Sequence, residues 1–258
     1  MILYKYMSLH AALAVLENQT LGFSRPSFFN DPFDRPVAQR TPDLSLNDYL
    51  FGGLRAEMKA MAWELHTAIL SLTRTPTNAL MWAHYADHHR GVVLAIDADV
   101  AGLNDESSNM IPAHFGNVVY ARHRPSGPYH STFGVPVTVG STFAFVISHY
   151  EKWQRMFLTK PIEWAYEEEV RVVKSVDGLS ETGGTNQSGR FTIIELDRPL
   201  HCLHLPPGSI VGIYAGARMG KASLENLRAA GEGLSVVQAL ADQATYEITV
   251  PPIVLPAS

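Results

Sequence analysis

The sequence predicts an α+β fold, a single domain over residues 1–258 with a mixed central sheet and flanking helices. Three observations carry that expectation. Segments of strand-like alternation and of helical spacing follow one another in mixed order rather than as strict β–α–β units. The chain is 46% hydrophobic and 17% charged, which is the balance of a globular protein with a substantial core. No linker rich in Pro, Gly or Ser divides it cleanly, and no internal repeat is present.

The elements follow in chain order. Ile2 to Tyr6 is rich in strand-forming residues. Ser8 is a fitting N-cap for a helix over His10 to Glu17, where Leu9, Leu13 and Leu16 recur at helical spacing. Thr20 to Ser24 reads as a second strand. Phe28 to Asp34, FFNDPFD, reads as a turn, because Asx side chains bond local backbone and Pro presets φ. Its Phe residues are expected to pin it to the core, and it either packs as a plain loop or presents Asn30, Asp31 and Asp34 to a site. Leu44 to Ala68 has a helical pattern that Gly52-Gly53 can interrupt. Ile69 to Thr73 is a strand. Asn78 to His89 is a helix closed by Gly91, a residue suited to the position after a helix end. Val92 to Ile96 is a buried strand, and Val118 to Tyr120 a short one.

Pro125 to Gly140 reads as a long loop, and Thr142 to Phe157 as a helix with Phe145, Tyr150, Trp153 and Phe157 on its apolar positions. Thr159 to Val173, TKPIEWAYEEEVRVV, reads as one strand. Alternation places Glu167, Glu169, Arg171 and Val173 on one face, with carboxylates roughly 7 Å apart, and Glu168, Val170 and Val172 on the other, core side. Ser175 to Arg190 is a polar turn or mobile loop. Phe191 to Leu196, Ile210 to Ala215 and Tyr246 to Val250 are strands, and Lys221 to Ala230 is a helix.

Composition narrows the function classes. A net charge of −5 argues against broad electrostatic binding of nucleic acid, though not against a local basic groove. The single cysteine, Cys202, excludes an internal disulfide framework and a Cys-rich zinc site. It fits a reducing cytoplasm. The N-terminal MILYKYMSLH lacks the pattern of a signal peptide, and no apolar run reaches membrane-spanning length. There is no P-loop, dinucleotide fingerprint, nucleophile elbow or kinase set. Gly216 to Gly220 reads as a simple turn before a helix.

Three constellations could carry chemistry. The acidic strand offers two carboxylates on one face, which can act as acid and base or stabilise a developing positive charge, or which simply pair with Arg171 and solvent. In LMWAHYADHHRG, His84 and His88 stand four apart on the expected helix, a geometry adequate for two metal ligands but with no third marked, so no metal site is assigned. Trp82 and Tyr85 are core aromatics or one wall of an aromatic ligand site. In the first strand Tyr4 and Tyr6 face one way and Lys5 the other: a solvated edge, or an aromatic and a cation aimed into a cleft.

Together LYKY, LGFSRPSFFNDPFD, SLT, LMWAHYADHHRGVVLAID, WAYEEEVRVV and IVGIYAG resemble a widespread bacterial family defined only as a domain of unknown function, DUF2971, over about Leu3 to Ala217. The order of blocks also resembles ADP-ribosyltransferase domains that use NAD. In those, a first strand carries His or Arg, a middle block carries Ser or Tyr against the nicotinamide, and a late strand carries the catalytic Glu, sometimes as Glu-x-Glu. Here Tyr4-Lys5-Tyr6 stands in the first position, Tyr85 or Ser71 in the middle, and Glu167 with Glu169 on the late strand. The departure is Lys5, which lacks the bidentate fork of arginine.

The resemblance implies Glu167, Glu169 and Tyr85 as catalytic residues. It implies Tyr4, Lys5, Tyr6, Ser24, Arg25, Asn30, Asp31, Ser71, Trp82, His84 and Arg171 as contacts to NAD. The acceptor would be protein, nucleic acid, a small molecule or water, and the context a cytoplasmic bacterial toxin or antiphage effector with a neutralising partner protein. Two other readings stand beside it. One is a metal-dependent nuclease or hydrolase built on Asp31, Asp34, Glu167, Glu169 and Lys174. The other is a non-enzymatic interaction module.

Overall fold

The computed structural model describes residues 1–34, 54, 58, 60–125 and 139–252. Strand β1 (Ile2–Met7) leads into helix α1 (Leu9–Asn18), where the Ser8 hydroxyl accepts from the Ala11 amide as an N-cap, and on to β2 (Thr20–Ser24). Helical residues 60–66 run into β3 (Thr67–Thr73). Helix α2 (Ala79–Tyr85), strands β4 (Val92–Asp97) and β5 (Val119–Ala121), helix α3 (Tyr150–Phe157) and strand β6 (Thr159–Pro161) follow. Then come β7 (Glu169–Ser175), β8 (Gly183–Asn186), β9 (Gly189–Glu195), β10 (Pro199–His204) and β11 (Ile210–Ala215). Helix α4 (Lys221–Ala230), β12 (Val236–Gln238) and the small pair β13 (Leu240–Ala241) and β14 (Ile248–Thr249) complete the order.

The α+β class therefore holds: among the described residues a mixed sheet of ten strands is ordered β12-β11-β4-β1-β3-β2-β10-β9-β8, with β7 added on β3. All its pairings are antiparallel except β11 with β12. The way β3 is paired positions the site. One of its edges pairs β7 along its whole length, from Thr67↔Ser175 to Thr73↔Glu169. A strand has only one other edge, and there β3 meets β1 at Tyr4↔Thr73 and β2 at Ser24↔Ile69. Strands β1 and β2 thus part on either side of Ser71. The Lys5 ammonium reaches the Ser71 carbonyl there at 2.7 Å, satisfying an acceptor at the split.

Alternation along the strands sorts the core. Leu3 of β1, Leu70 and Leu72 of β3, Val92, Leu94 and Ile96 of β4, and Val170 and Val172 of β7 pack with Leu16 of α1 and Leu227 of α4. Tyr6, Val93, Ala95 and Tyr214 point to the other side, onto Trp82 of α2. Ile69 and Val173 join Trp63, Trp153 and Phe157 in a third cluster, where the two indoles meet edge to face at 4.9 Å. Val170 and Val172 lie on the core side, as alternation predicts.

Several elements differ from expectation. The acidic stretch is not one strand. Pro161 and the 3-10 segment Ile162–Glu167 interrupt it, and Glu168, at φ 45°, turns the chain before β7. The helix from Asn78 stops at Tyr85 rather than His89, because Asp87, His88 and His89 all take positive φ. Gly91, where a side chain would collide with the Met7 carbonyl, closes that turn against β1. The helix ending at Phe157 begins at Tyr150, after a separate 3-10 turn over Ile147–His149. Thr67 and Ala68 belong to β3, not to the preceding helix, whose residues 44–53 lie outside the described residues, as does most of Pro125 to Gly140. The polar segment from Ser175 contains β8, and β10 has no counterpart in the sequence expectation. The last strand shrinks to Ile248–Thr249. Phe29 packs against the third core cluster, but Phe33 is 64% exposed and does not join the core.

Candidate functional site

The split in the sheet opens into a cavity of about 220 Å³. Tyr4, Lys5 and Tyr6 line it from β1, Ser24 from β2, Ser71 and Thr73 from β3, and Tyr85 from α2. Asn30 and Asp34 enter from the FFNDPFD turn, while Lys160, Glu167 and Glu169 form its ionic wall.

Local structure explains why the carboxylates converge. Along a strand, residues two apart keep a spacing of roughly 7 Å. The 3-10 segment and the left-handed Glu168 shorten that path, and both carboxylates reach one ammonium: Lys160 Nζ donates to Glu167 Oε2 at 2.5 Å and to Glu169 Oε2 at 3.3 Å. The backbone of the segment is pinned. Thr73 Oγ1 donates to the Glu167 carbonyl at 2.6 Å, and Asn78 Nδ2 to the Tyr166 carbonyl at 2.6 Å. Asn78 is also the N-cap of α2, its Oδ1 accepting from the Leu80 and Met81 amides. One side chain therefore fixes α2 against the segment, and Tyr85 at the far end of α2 donates to Glu167 Oε1 at 2.5 Å.

The two carboxylates differ in how fully they are used. Arg171 grips Glu169 with Nε at 2.9 Å on Oε1 and Nη2 at 3.0 Å on Oε2. The same guanidinium donates to Asp34 Oδ2 at 2.5 Å and to the Phe157 carbonyl at 2.8 Å, and lies over the Phe29 ring. Glu169 holds its backbone amide on the Tyr120 hydroxyl at 2.8 Å. Glu167 instead carries one donor on each oxygen, and a carboxylate offers about four lone-pair sites. Asp34 Oδ1, buried and lining the same cavity, has no hydrogen-bond partner among the described residues.

The electrostatics follow from burial and pairing. Burial alone would raise the Glu169 carboxyl, but Arg171 and Lys160 outweigh it and hold the group at about 2. Burial lowers the Lys160 ammonium, and Glu169 with Glu167 more than restore it, above the ordinary lysine value. For Asp34 burial wins over the nearby Arg171 and its carboxyl titrates above the usual range. Burial pushes the Lys5 ammonium down, with Glu169 and Glu167 opposing. Burial and the bond to Glu167 push the Tyr85 phenol up, so it remains a hydrogen-bond donor at neutral pH.

Of the residues singled out from sequence, Tyr4, Lys5, Tyr6, Ser24, Asn30, Ser71, Tyr85, Glu167 and Glu169 line this cavity. Arg171 stands behind it, acting on Glu169. Trp82 does not reach it: fully buried, it packs edge to face on Tyr6 and donates to the Pro76 carbonyl. His84 is exposed, its ring 6.2 Å from that of Tyr166. Asp31 is buried in the turn, accepting from the Phe33 amide at 2.8 Å, and Arg25 lies beside His201. The pairing expected of His84 with His88 is lost, because His88 sits past the helix end at φ 52°. Among the described residues no group of three or more His, Cys, Asp or Glu could hold a metal ion. Lys160 and Arg198 line the cavity without having been singled out. For Lys160 the one local signal is a lysine a few residues before three glutamates, which does not by itself reveal that it bridges two of them.

A family model described as a protein of unknown function, DUF2971, matches residues 81–172. The match takes in Tyr85, Lys160, Glu167, Glu169 and Arg171, and bears out that resemblance over this span. No curated protein and no solved structure matches the chain.

Proposed function

We propose that this cavity takes the nicotinamide–ribose end of NAD and breaks the bond between them, as an ADP-ribosyltransferase or NAD glycohydrolase. The observation that supports the reading most is Glu167: a buried carboxylate oriented by Tyr85 and Lys160, facing a cavity, with lone pairs to spare. At about 220 Å³ the cavity falls below the roughly 300–1,000 Å³ of a whole drug-sized ligand site, so it suits one ring and its sugar rather than a complete dinucleotide.

In the step itself the ribose C1′–nitrogen bond breaks and its electron pair stays on the nicotinamide nitrogen, which neutralises the pyridinium. Positive charge gathers on C1′ and the ring oxygen. Glu167 stabilises that charge, as a carboxylate does in glycoside cleavage. It then accepts the proton that water, or an acceptor group of a protein, nucleic acid or small molecule, loses as it bonds to C1′. Tyr4, Tyr6 and Tyr85 wall the departing ring. The unpartnered Asp34 Oδ1 can accept from a ribose hydroxyl. Glu169 acts through others: bound to Arg171 and Lys160, it keeps Lys160 charged beside Glu167.

An activity that consumes NAD in the cytoplasm suits a bacterial toxin or antiphage effector restrained by a neutralising partner protein. A metal-dependent hydrolase is less well supported, since Asp34, Glu167 and Glu169 are already engaged by Lys160 or Arg171.

The test is chromatography of nicotinamide after incubating the purified protein with NAD, with and without EDTA, and with cell lysate as a source of acceptors. Release that persists in EDTA is the expected result. No release under any of these conditions, or release abolished by EDTA, would remove the proposal.

A further inference from the structure

A second cavity, of about 210 Å³, lies beside the paired strands β5 and β6 and is also lined by Lys160. The two strands run parallel, with Tyr120 opposite Lys160 and Ala121 opposite Pro161. Three consecutive residues that follow the pair, Arg122, His123 and Arg124, line the cavity together with Lys160, and Phe33, Ala121 and Pro161 give it apolar walls. Among the described residues none that lines it is acidic.

This is an unusual place for cations to gather in a chain of net charge −5. Side chains of like charge side by side repel one another. A bound anion removes that cost. Arg122 and His123 are exposed and have no hydrogen-bond partner among the described residues, so their donors remain available. Arg124 donates to the Phe33 carbonyl and so ties the rim together. A single carboxylate is served by one guanidinium fork. The Arg122 guanidinium and the His123 imidazole, with the positive charge of Arg124 and Lys160 beside them, match the several oxygens and higher charge of a phosphate.

We propose that this cavity is a binding site for a phosphate or diphosphate group. The proposal stands apart from the NAD reading. It adds a link to it: Lys160 lines both cavities, and Tyr120, in the same strand pair, accepts from the Glu169 amide. The bound group is either the diphosphate of the dinucleotide itself or that of a separate nucleotide.

Titration calorimetry of the full chain with inorganic pyrophosphate tests it, comparing wild type, the double variant Arg122→Gln/His123→Gln, and Glu167→Gln. Both substituted positions of the double variant are at the surface, and thermal melting confirms its fold. Wild type and Glu167→Gln should bind alike, and the double variant about tenfold more weakly, or about 1.4 kcal/mol. Repeating the titration with NAD on Glu167→Gln, with and without the double substitution, separates the sources. An equal loss assigns the site to the dinucleotide, and an unchanged NAD affinity assigns it to a separate phosphate ligand. Wild type that binds no pyrophosphate, or a double variant that binds it as wild type does, would overturn the site. Neither result depends on whether NAD is cleaved.

Discussion

Residues 159–175 and residues 84–90 are two polar stretches that flank the cavity, and folding treats them in opposite ways. In the first, Lys160, Glu167, Glu169 and Arg171 are all buried, and each of these four has an opposite charge within 3.3 Å. In the second, His84, Asp87 and His88 are exposed, and left-handed backbone at Asp87, His88 and His89 splays them apart. Both stretches had the composition of a site. Only the first is drawn together by distant parts of the chain: Thr73 and Asn78 pin its backbone, and Asp34 and Tyr85 complete its contacts. Convergence on a shared partner, rather than spacing along an element, separates a site from a solvated run of polar residues.

The sharpest way to break this contrast is to remove the central cation. Arg171→Met leaves Glu169 and Asp34 buried without their strongest partner, and breaking such a pair costs about 3–5 kcal/mol. Urea denaturation should show that loss. A variant as stable as wild type would mean that the buried charges do not hold the cleft together.

Acid should act on the same stretch. The Glu169 carboxyl sits at about 2 in the folded protein against an ordinary value of 4.5, so between these values the unfolded chain binds more protons and stability falls as pH falls. Asp34 works in the opposite direction, its carboxyl being raised by burial. The stability advantage of wild type over Glu169→Gln, followed by denaturant titration, should therefore be full above about pH 4.5 and shrink toward pH 2. An advantage that is constant across this range would contradict the pairing.

How far the sequence reached follows the same division. Local pattern was enough for β2, β11 and α4, whose bounds agree with expectation, and for the buried β4. It failed where backbone geometry overrode pattern. Alternation through 159–173 was interrupted by Pro161 and by Glu168 in the left-handed region, and helical spacing through His88 was broken by consecutive positive φ angles. The acidic pair was legible because three adjacent glutamates before an arginine are conspicuous. Lys160 was not, since nothing in local spacing reveals that a lysine will lie between two carboxylates and carry both. Arg25, Trp82 and His84 were chosen for their chemistry, and their places in the fold keep them off the cavity wall.

Smaller perturbations sharpen the comparison. Tyr85→Phe removes the 2.5 Å bond to Glu167, and hydrogen bonds to charged groups contribute about 1.5–3 kcal/mol. Stability should fall by about the lower figure, about 1.5 kcal/mol, and nicotinamide release should fall about tenfold, with the two read on one preparation. His84→Ala and His88→Ala form the control, with changes within about 0.5 kcal/mol in melting experiments and unaltered release. A large effect of either histidine would return the second stretch to consideration.

The central claim is that Glu167 reacts while Glu169 holds its surroundings. It is tested most directly by the rate of nicotinamide release from NAD in Glu167→Gln beside wild type. Glutamine keeps the shape and one acceptor oxygen, which can serve Lys160 while its NH2 donates to the Tyr85 hydroxyl, but it loses the negative charge. The variant should still melt cooperatively and release nicotinamide at least about a hundredfold more slowly. A folded Glu167→Gln variant that releases nicotinamide at the wild-type rate would contradict the account.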